Sequence, residues 1–297
     1  MSNKARKISL EGFLKMLRKA GRGHKNGLLH YTTMPSFKSM IDSRKVYFSL
    51  LNSSNDKGEC NDNRHYMMCF TYGIEENVGL WGIYGIPWKE SIWLKFPNRD
   101  IMDWLESAKN KELQYYGVRN RGNPVLLKDA NPKILISDVG YYDGEHGNIF
   151  THDRTNYRVP CNGRTGCNPC QDPRLAPYVK QWAWSYEHEV RIVLEFDKPV
   201  RNSKGQPFRR LAVDFEEPLE ALLEGKGEIR LGPWYRRGRE NVWKKNFPNA
   251  LVVQSVFANS EHKINLRTPC QECDKLKRLK RMLCKYKKWT TGITKVV

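Results

Sequence analysis

No stretch of this chain reaches ~18 uninterrupted apolar residues, which excludes a membrane-spanning helix. The leading residues Met1-Ser-Asn-Lys-Ala-Arg-Lys7 lack the apolar run of a secretory signal, so the expectation is a cytoplasmic protein with reduced thiols. No His-x-x-x-His pair is present, which argues against a catalytic zinc held on one helix face. No internal repeat is visible. Acid is scarce: 32 Asp and Glu face 51 Lys and Arg, a formal charge of +19. That balance suits a polyanionic partner, nucleic acid above all. A basic protein without such a partner is the plainer alternative.

What is present is enough for a folded core. The 297 residues are 39% hydrophobic and 11% aromatic, which excludes a disordered tail. The positive charge is concentrated at the two ends. Residues 1–25 hold Lys4, Arg6, Lys7, Lys15, Arg18, Lys19, Arg22 and Lys25 against one acid, Glu11. Residues 274–289 place Lys277, Arg278, Lys280 and Arg281 around a stripe of Leu276, Leu279, Leu283 and Tyr286 at helical spacing. Such a helix would lie on phosphates, or dock its Leu stripe and leave its Lys residues in water. A third stretch, Trp234-Tyr-Arg-Arg-Gly-Arg239, interleaves aromatics with Arg236, Arg237 and Arg239, a composition suited to stacking on unpaired bases.

Eight cysteines include two pairs with the two-residue gap of zinc knuckles, Cys167–Cys170 and Cys270–Cys273, with Cys161 and Cys284 as alternates. A structural zinc would tie the tail to a mid-chain loop and hold a segment that lacks its own core. Unrelated free thiols are the alternative.

The pattern of the chain is one of strands with few helices between them. An amphipathic helix is expected over 8–20, capped by Ser9 and stopped at Gly21. Strands are expected at 27–32, 45–49, 66–71, 91–96, 133–141, 189–195, 210–214, 227–231 and 250–257, and helices at 34–41, 78–84, 100–108 and 239–246. Residues 144–177 hold Gly, Asn, Pro and Cys without periodicity and look like an insertion. The fold class is therefore α+β with a mainly antiparallel sheet. The divisions expected are a basic N-terminal helix over 1–26, a main domain over 27–266 and a basic Cys-containing tail over 267–297.

Four polar clusters fall at strand ends: His30-Tyr31-Thr32, the loop Asn55-Asp56-Lys-Gly-Glu59, the pair Trp81 and Tyr84, and Tyr186-Glu-His-Glu-Val-Arg191. Singly, each has a structural explanation: a hydrogen-bonded core histidine, a turn, one helix face, surface charge pairs. On a regular strand Glu187, Glu189 and Arg191 share a face and His188 points away, which counts against a hydrolase built on all three of Glu187, His188 and Glu189.

Their order resembles a large bacterial family of domains of unknown function: His-Tyr-Thr, short helix, Val46-Tyr-Phe-Ser49, Asn-Asp-x-x-Glu, Cys69-Phe-Thr71, Leu80-Trp-x-x-Tyr84, Tyr186-Glu-x-Glu-x-Arg191 and Ile229-Arg-Leu-Gly-Pro233. The resemblance covers residues 27–266, outside the Cys-rich insertion. Members often look like parts of toxin or phage-defence systems, which implies a triggering protein partner. The layout is in turn similar to ADP-ribosyltransferases. It implies a split-sheet core and NAD as substrate, with Glu189 as the catalytic carboxylate, Glu187 orienting the acceptor and His30 holding the adenosine-side ribose or diphosphate. Tyr47 or Tyr31 would stack on nicotinamide, and Arg191 would keep Glu189 ionised. By the same resemblance Thr32, Ser49, Asn55, Asp56, Trp81 and Tyr84 would line the NAD site. A zinc-stabilised nucleic-acid-binding module without catalysis is the competing expectation.

Overall fold

The computed structural model describes residues 5–53, 62–73, 76–85, 90–110, 114–118, 125–127, 130–144, 147–160, 168–235 and 240–258. The order begins β1 (Arg6–Lys7), α1 (Leu10–Arg22), β2 (Leu28–Thr33), α2 (Met34–Ser43), β3 (Lys45–Leu50), β4 (His65–Tyr72), α3 (Val78–Tyr84), β5 (Ser91–Phe96) and α4 (Asn98–Asn110). It continues β6 (Tyr115–Val118), β7 (Val125–Leu126), β8 (Lys133–Asp138), β9 (Gly140–Asp143), β10 (Asn148–Phe150), β11 (Asn156–Arg158), β12 (Val179–Gln181) and β13 (Glu189–Glu195). It closes with β14 (Arg210–Asp214), α5 (Glu216–Leu223), β15 (Glu228–Leu231), α6 (Glu240–Asn246) and β16 (Val252–Gln254). This is an α+β architecture. The chain divides into two compact units, residues 1–255 and 256–297. Of the second unit, only the 3-10 turn Val256–Ala258 is described.

Among the described residues the strands form an eleven-stranded and a five-stranded sheet. Strand β4 is the hub of the larger one. Along one edge it pairs antiparallel with the whole of β13, from Glu189 opposite Thr71 to Glu195 opposite His65. Its other edge is shared. Strand β3 takes its beginning (Ser49 opposite Met67, Leu50 opposite Tyr66) and β2 takes its end (Leu28 opposite Tyr72, Leu29 opposite Thr71). Neither reaches Met68, Cys69 or Phe70, so the sheet forks there. One arm continues from β2 through β5, β15 and β16; the other from β3 through β14, β6 and β7.

The period-2 pattern of these strands divides their side chains. Phe48, Leu50, Met68, Phe70, Val190, Ile192 and Leu194 face one side, where they join Phe37, Met40, Trp104, Leu105, Phe215, Leu219 and Trp243 of the helices and their flanks in the main core. Tyr47, Ser49, Met67, Cys69, Thr71, Glu189 and Arg191 face the other.

The smaller sheet runs β1-β11-β10-β9-β12. It departs from two expectations. Within residues 144–177, read as lacking periodicity, β10 and β11 form and Ile149, Tyr157 and Val159 are buried. The N-terminal helix is not a separate body, because Phe13 and Leu17 enter that same second core. Ser9 caps the helix as expected, accepting from Gly12 N–H at 3.2 Å. Gly21, however, is not the stop. It lies inside the helix against the backbone of Ser137, and Gly23 ends the helix.

Candidate active site

A cavity of about 360 Å³ opens on the face of the fork opposite the main core. Its walls bring together the far-apart segments that sequence reasoning selected: His30 and Tyr31 from β2, Tyr47 and Ser49 from β3, Cys69 and Thr71 from β4, Tyr84 from α3, and Glu187, Glu189 and Arg191. Lys180 and Arg210 complete the polar lining.

His30 sits where β2 leaves β4. Its Nδ1 lies 2.9 Å from the Cys69 carbonyl oxygen, one of the hub-strand groups that neither arm pairs. A carbonyl only accepts, so Nδ1 carries the proton and Nε2 keeps its lone pair. Burial lowers the pKa of the imidazole and keeps it neutral, although the Cys69 hydrogen bond works the other way. His30 therefore ties β2 to the open stretch of β4 and retains one acceptor for a ligand hydroxyl.

The two carboxylates reach the cavity by a backbone reversal, not by strand alternation. Glu187 ends the 3-10 helix Trp182–Glu187, His188 adopts a left-handed conformation with φ 45°, and β13 begins at Glu189. Positive φ in a non-glycine residue is costly and persists only where surrounding contacts enforce it. Here Thr71 Oγ1 donates to the Glu187 carbonyl at 2.5 Å, and Tyr72 N–H donates to the His188 carbonyl at 3.2 Å. His188 turns away, its ring against Tyr72 at 5.6 Å.

Both acids are buried, at 3% and 4% exposure, which requires paired charge. Glu189 accepts from Arg191 Nε at 2.8 Å and Nη2 at 3.3 Å, and from Lys180 Nζ at 3.3 Å. Glu187 accepts from Lys180 Nζ at 2.6 Å and from the Tyr84 hydroxyl at 2.8 Å. Lys180 also stands 4.6 Å over the Trp184 ring. Arg191, 1% exposed, spends its remaining reach on the Ala176 and Pro177 carbonyls.

Equal burial does not give the two acids equal charge. Burial alone would raise Glu189, but Arg191 and Lys180 outweigh it and hold the carboxyl well below its usual range. Burial and the neighbouring Glu189 anion push Glu187 up to about 7, against the pull of Lys180. Burial and Glu189 raise the Cys69 thiol, so it stays protonated. Burial followed by the two acids raises Tyr84, which remains a donor. One permanently ionised carboxylate thus lies beside one that gains and loses a proton near neutrality. Such a pair matches fixed-charge stabilisation to proton transfer.

Compared with known proteins, this chain matches no family model, no curated protein and no solved structure.

Other sequence candidates lie elsewhere. Thr32 is buried and does not line the cavity. Trp81, fully buried, is a structural residue: it packs with Tyr31 and Trp93 at ring distances of 4.9 and 6.0 Å, and its Nε1 donates to Glu76 at 3.1 Å. Asn55, Asp56, Cys161, Cys167, Cys270, Cys273, Cys284, Arg236, Arg237, Arg239, Lys277, Arg278, Lys280 and Arg281 lie outside the described residues. Of the suggested zinc ligands only Cys170 is described, buried in the second apolar core. Among the described residues no group of three His, Cys, Asp or Glu is placed to hold a metal.

Sequence reasoning missed Lys180, Cys69 and Arg210. Lys180 sits in a three-residue strand with no periodicity to mark it. Cys69 fell inside a recognised motif, but its neighbours Glu189 and Arg191 are 120 positions away or more. Arg210 lies directly opposite Ser49 across β3 and β14, and its side chain is exposed.

Proposed function

We propose that the protein is an NAD-dependent mono-ADP-ribosyltransferase, with the cavity at the sheet fork as its reaction centre. The observation that carries the reading is the joint burial of Glu187 and Glu189, one titrating near neutrality and one held as an anion, beside the neutral His30. In the reaction, the bond between the ribose C1′ and the nicotinamide nitrogen breaks. Its electron pair goes to the nitrogen, so nicotinamide leaves neutral and positive charge develops on the ribose. The fixed anion of Glu189 is the electrostatic complement of that charge, in a site already organised before the bond breaks. Arg191 and Lys180 offset part of that anion but hold it in place. Glu187, ionised, takes the proton of the acceptor nucleophile as it attacks C1′.

The remaining groups suit the rest of a dinucleotide. The free Nε2 of His30 accepts a ribose hydroxyl. The exposed Arg210 is placed to pair with a diphosphate. Tyr47, half-buried on the cavity wall with its hydroxyl 3.0 Å from Ser39 Oγ, presents a ring for the nicotinamide. Zinc enters no step.

The test is nicotinamide release from NAD, followed chromatographically in the presence of oligonucleotide or protein acceptors. Release is expected from the native protein, lowered roughly 10²–10⁴-fold in Glu187→Gln and Glu189→Gln, the range that loss of a positioned proton-transfer or charge-stabilising group gives. No release by the native protein, or equal release by both variants, would overturn the assignment.

A further inference from the structure

Away from the reaction centre, a second and larger hollow of about 790 Å³ lies between helix α1 and the opposite ends of β4 and β13. Its lining is dominated by cations: Lys15, Arg18, Lys19 and Arg22 from the helix, Arg64 at the start of β4, and Arg174, against Glu11 and Glu195. The helix is built for this. Phe13, Leu17 and Gly21 are buried, and the four cations at positions 15, 18, 19 and 22 recur at the 3–4-residue spacing of the opposite face. Among the described residues no carboxylate pairs with Lys15, Arg18 or Lys19, and Lys15 and Lys19 are exposed. Arg18 lies with its guanidinium 5.4 Å over the Tyr178 ring, which leaves a flat cation facing the hollow. Arg64 and Arg174 are each tethered to a buried acid, Asp62 and Asp172 at 3.3 and 2.7 Å, and so hold fixed positions on the opposite wall. Arg22 pairs with Glu106 at 3.8 Å, so the uncompensated charge is the row Lys15, Arg18 and Lys19, and a row of cations along a hollow matches a chain of phosphates better than a single anion.

The hollow and the reaction centre lie toward the two ends of β13, and the interval between them is covered, Arg191 and Val193 being buried beneath the segment that carries Ala176, Tyr178 and Val179. Glu189, Arg191, Val193 and Glu195 alternate to one side of β13; the first two line the reaction centre and the last lines the basic hollow. Six residues of strand separate them, about 20 Å at ~3.3 Å per residue. The segment 174–180 spans the same interval, with Arg174 and Tyr178 on the hollow and Lys180 on the reaction centre. One strand of a duplex advances ~3.4 Å per phosphate, so this gap corresponds to about six nucleotides.

We infer that the hollow beneath α1 binds the phosphate backbone of a nucleic-acid strand, another part of which is the acceptor presented to Glu187 and Glu189. The acceptor role rests on the transferase reading; the binding does not. These cations are distinct in sequence from the arginine-aromatic stretch at 234–239 and the basic run at 274–289.

Fluorescence anisotropy with labelled 12-nucleotide single strands and the matching duplex, across a salt series, tests the binding on the full chain. The double variant Lys15→Ala/Lys19→Ala removes two exposed charges and leaves the buried face of α1 intact; circular dichroism and melting confirm its fold. Two lost phosphate contacts should reduce the salt-dependence slope by about 1.4 for single strands and about 1.8 for duplex. Affinity at low salt should fall at least tenfold. Nicotinamide release into water should be unchanged, whereas Glu189→Gln should bind the oligonucleotide as the native protein does. Unaltered affinity and slope in the double variant overturn the inference. So does a native protein that binds polyglutamate but no oligonucleotide, which would identify an acidic protein as the partner. Binding lost with release retained supports the hollow independently of the chemistry; release absent with binding intact removes the transferase and leaves the hollow standing.

Discussion

Glu187 is the residue whose environment has the most direct consequence in solution. Its raised pKa, about 7 against 4.5 for the ordinary side chain, means that the folded protein binds a proton the unfolded chain has already released. Its contribution to stability is therefore present below pH ~4.5 and is lost as pH rises through about 7. Activity runs the opposite way. If Glu187 accepts the proton of the nucleophile, turnover rises with pH through about 7 and then levels, and Glu187→Gln flattens that limb; a pH–rate profile that falls through this range would assign it as an acid instead. Lys180 decides whether both acids can coexist. Lys180→Met leaves Glu189 buried with Arg191 and Glu187 with the Tyr84 hydroxyl, and a loss of ~3–5 kcal/mol in denaturant unfolding is expected, because removal of one partner strands buried charge. The order Glu-x-Glu-x-Arg selects three members of this group through the resemblance; strand alternation accounts for Glu189 and Arg191 alone, because Glu187 lies before the strand, in the 3-10 helix. Lys180 was not legible, because its pairing with Glu187 and Glu189 is created by the left-handed turn at His188, which no local pattern announces.

Elements differ in how plainly their sequences declare them. Strands β2, β4, β5 and β13 are each six to eight residues long and almost wholly buried, and apolar runs of that length stand out from any flanking loop. Strands β10, β11 and β12 have three residues each, too short for a period to show, and so the region of the first two reads as an irregular insertion. Helix α1 was found but its end was misplaced. Gly21 reads as a stop because glycine commonly follows a helix. Its actual reason is contact: a Cβ there would lie 2.8 Å from Ser137 Cα and its carbonyl carbon, which are backbone atoms with no freedom to move aside. Gly21→Ala should therefore destabilise by ~1–3 kcal/mol despite the better helix propensity of alanine, the usual cost of overpacking. The reverse outcome, a rise in melting temperature, would show that α1 does not press on β8 as described. Because the same contact seats the cations of α1, this variant should also weaken oligonucleotide binding.

The whole molecule turns on a feature of hydrogen-bond register. The strand inventory supported an antiparallel α+β class, yet it could not reveal that β2 and β3 share one edge of β4 and leave Met68 to Phe70 unpaired between them. Register is set by which backbone groups meet, and identical apolar patterns are compatible with a continuous sheet. The fork is what gives the two arms a common seam on β4, to whose open stretch His30 ties β2 through the Cys69 carbonyl. A dinucleotide seated there would touch β2, β3 and β13 at once, and its binding free energy would act on all three. NAD at 100 times its dissociation constant should then stabilise the native state by about 2.7 kcal/mol. Hydrogen exchange distinguishes this seam from a ligand held by one arm. With NAD bound, slowed exchange is expected together in β2, in β3 and at the start of β13, including amides beyond direct ligand contact, because opening either arm would require releasing the ligand. Protection restricted to a single arm would place the nucleotide away from the fork and remove the basis for pairing His30 with Glu189 in one reaction centre.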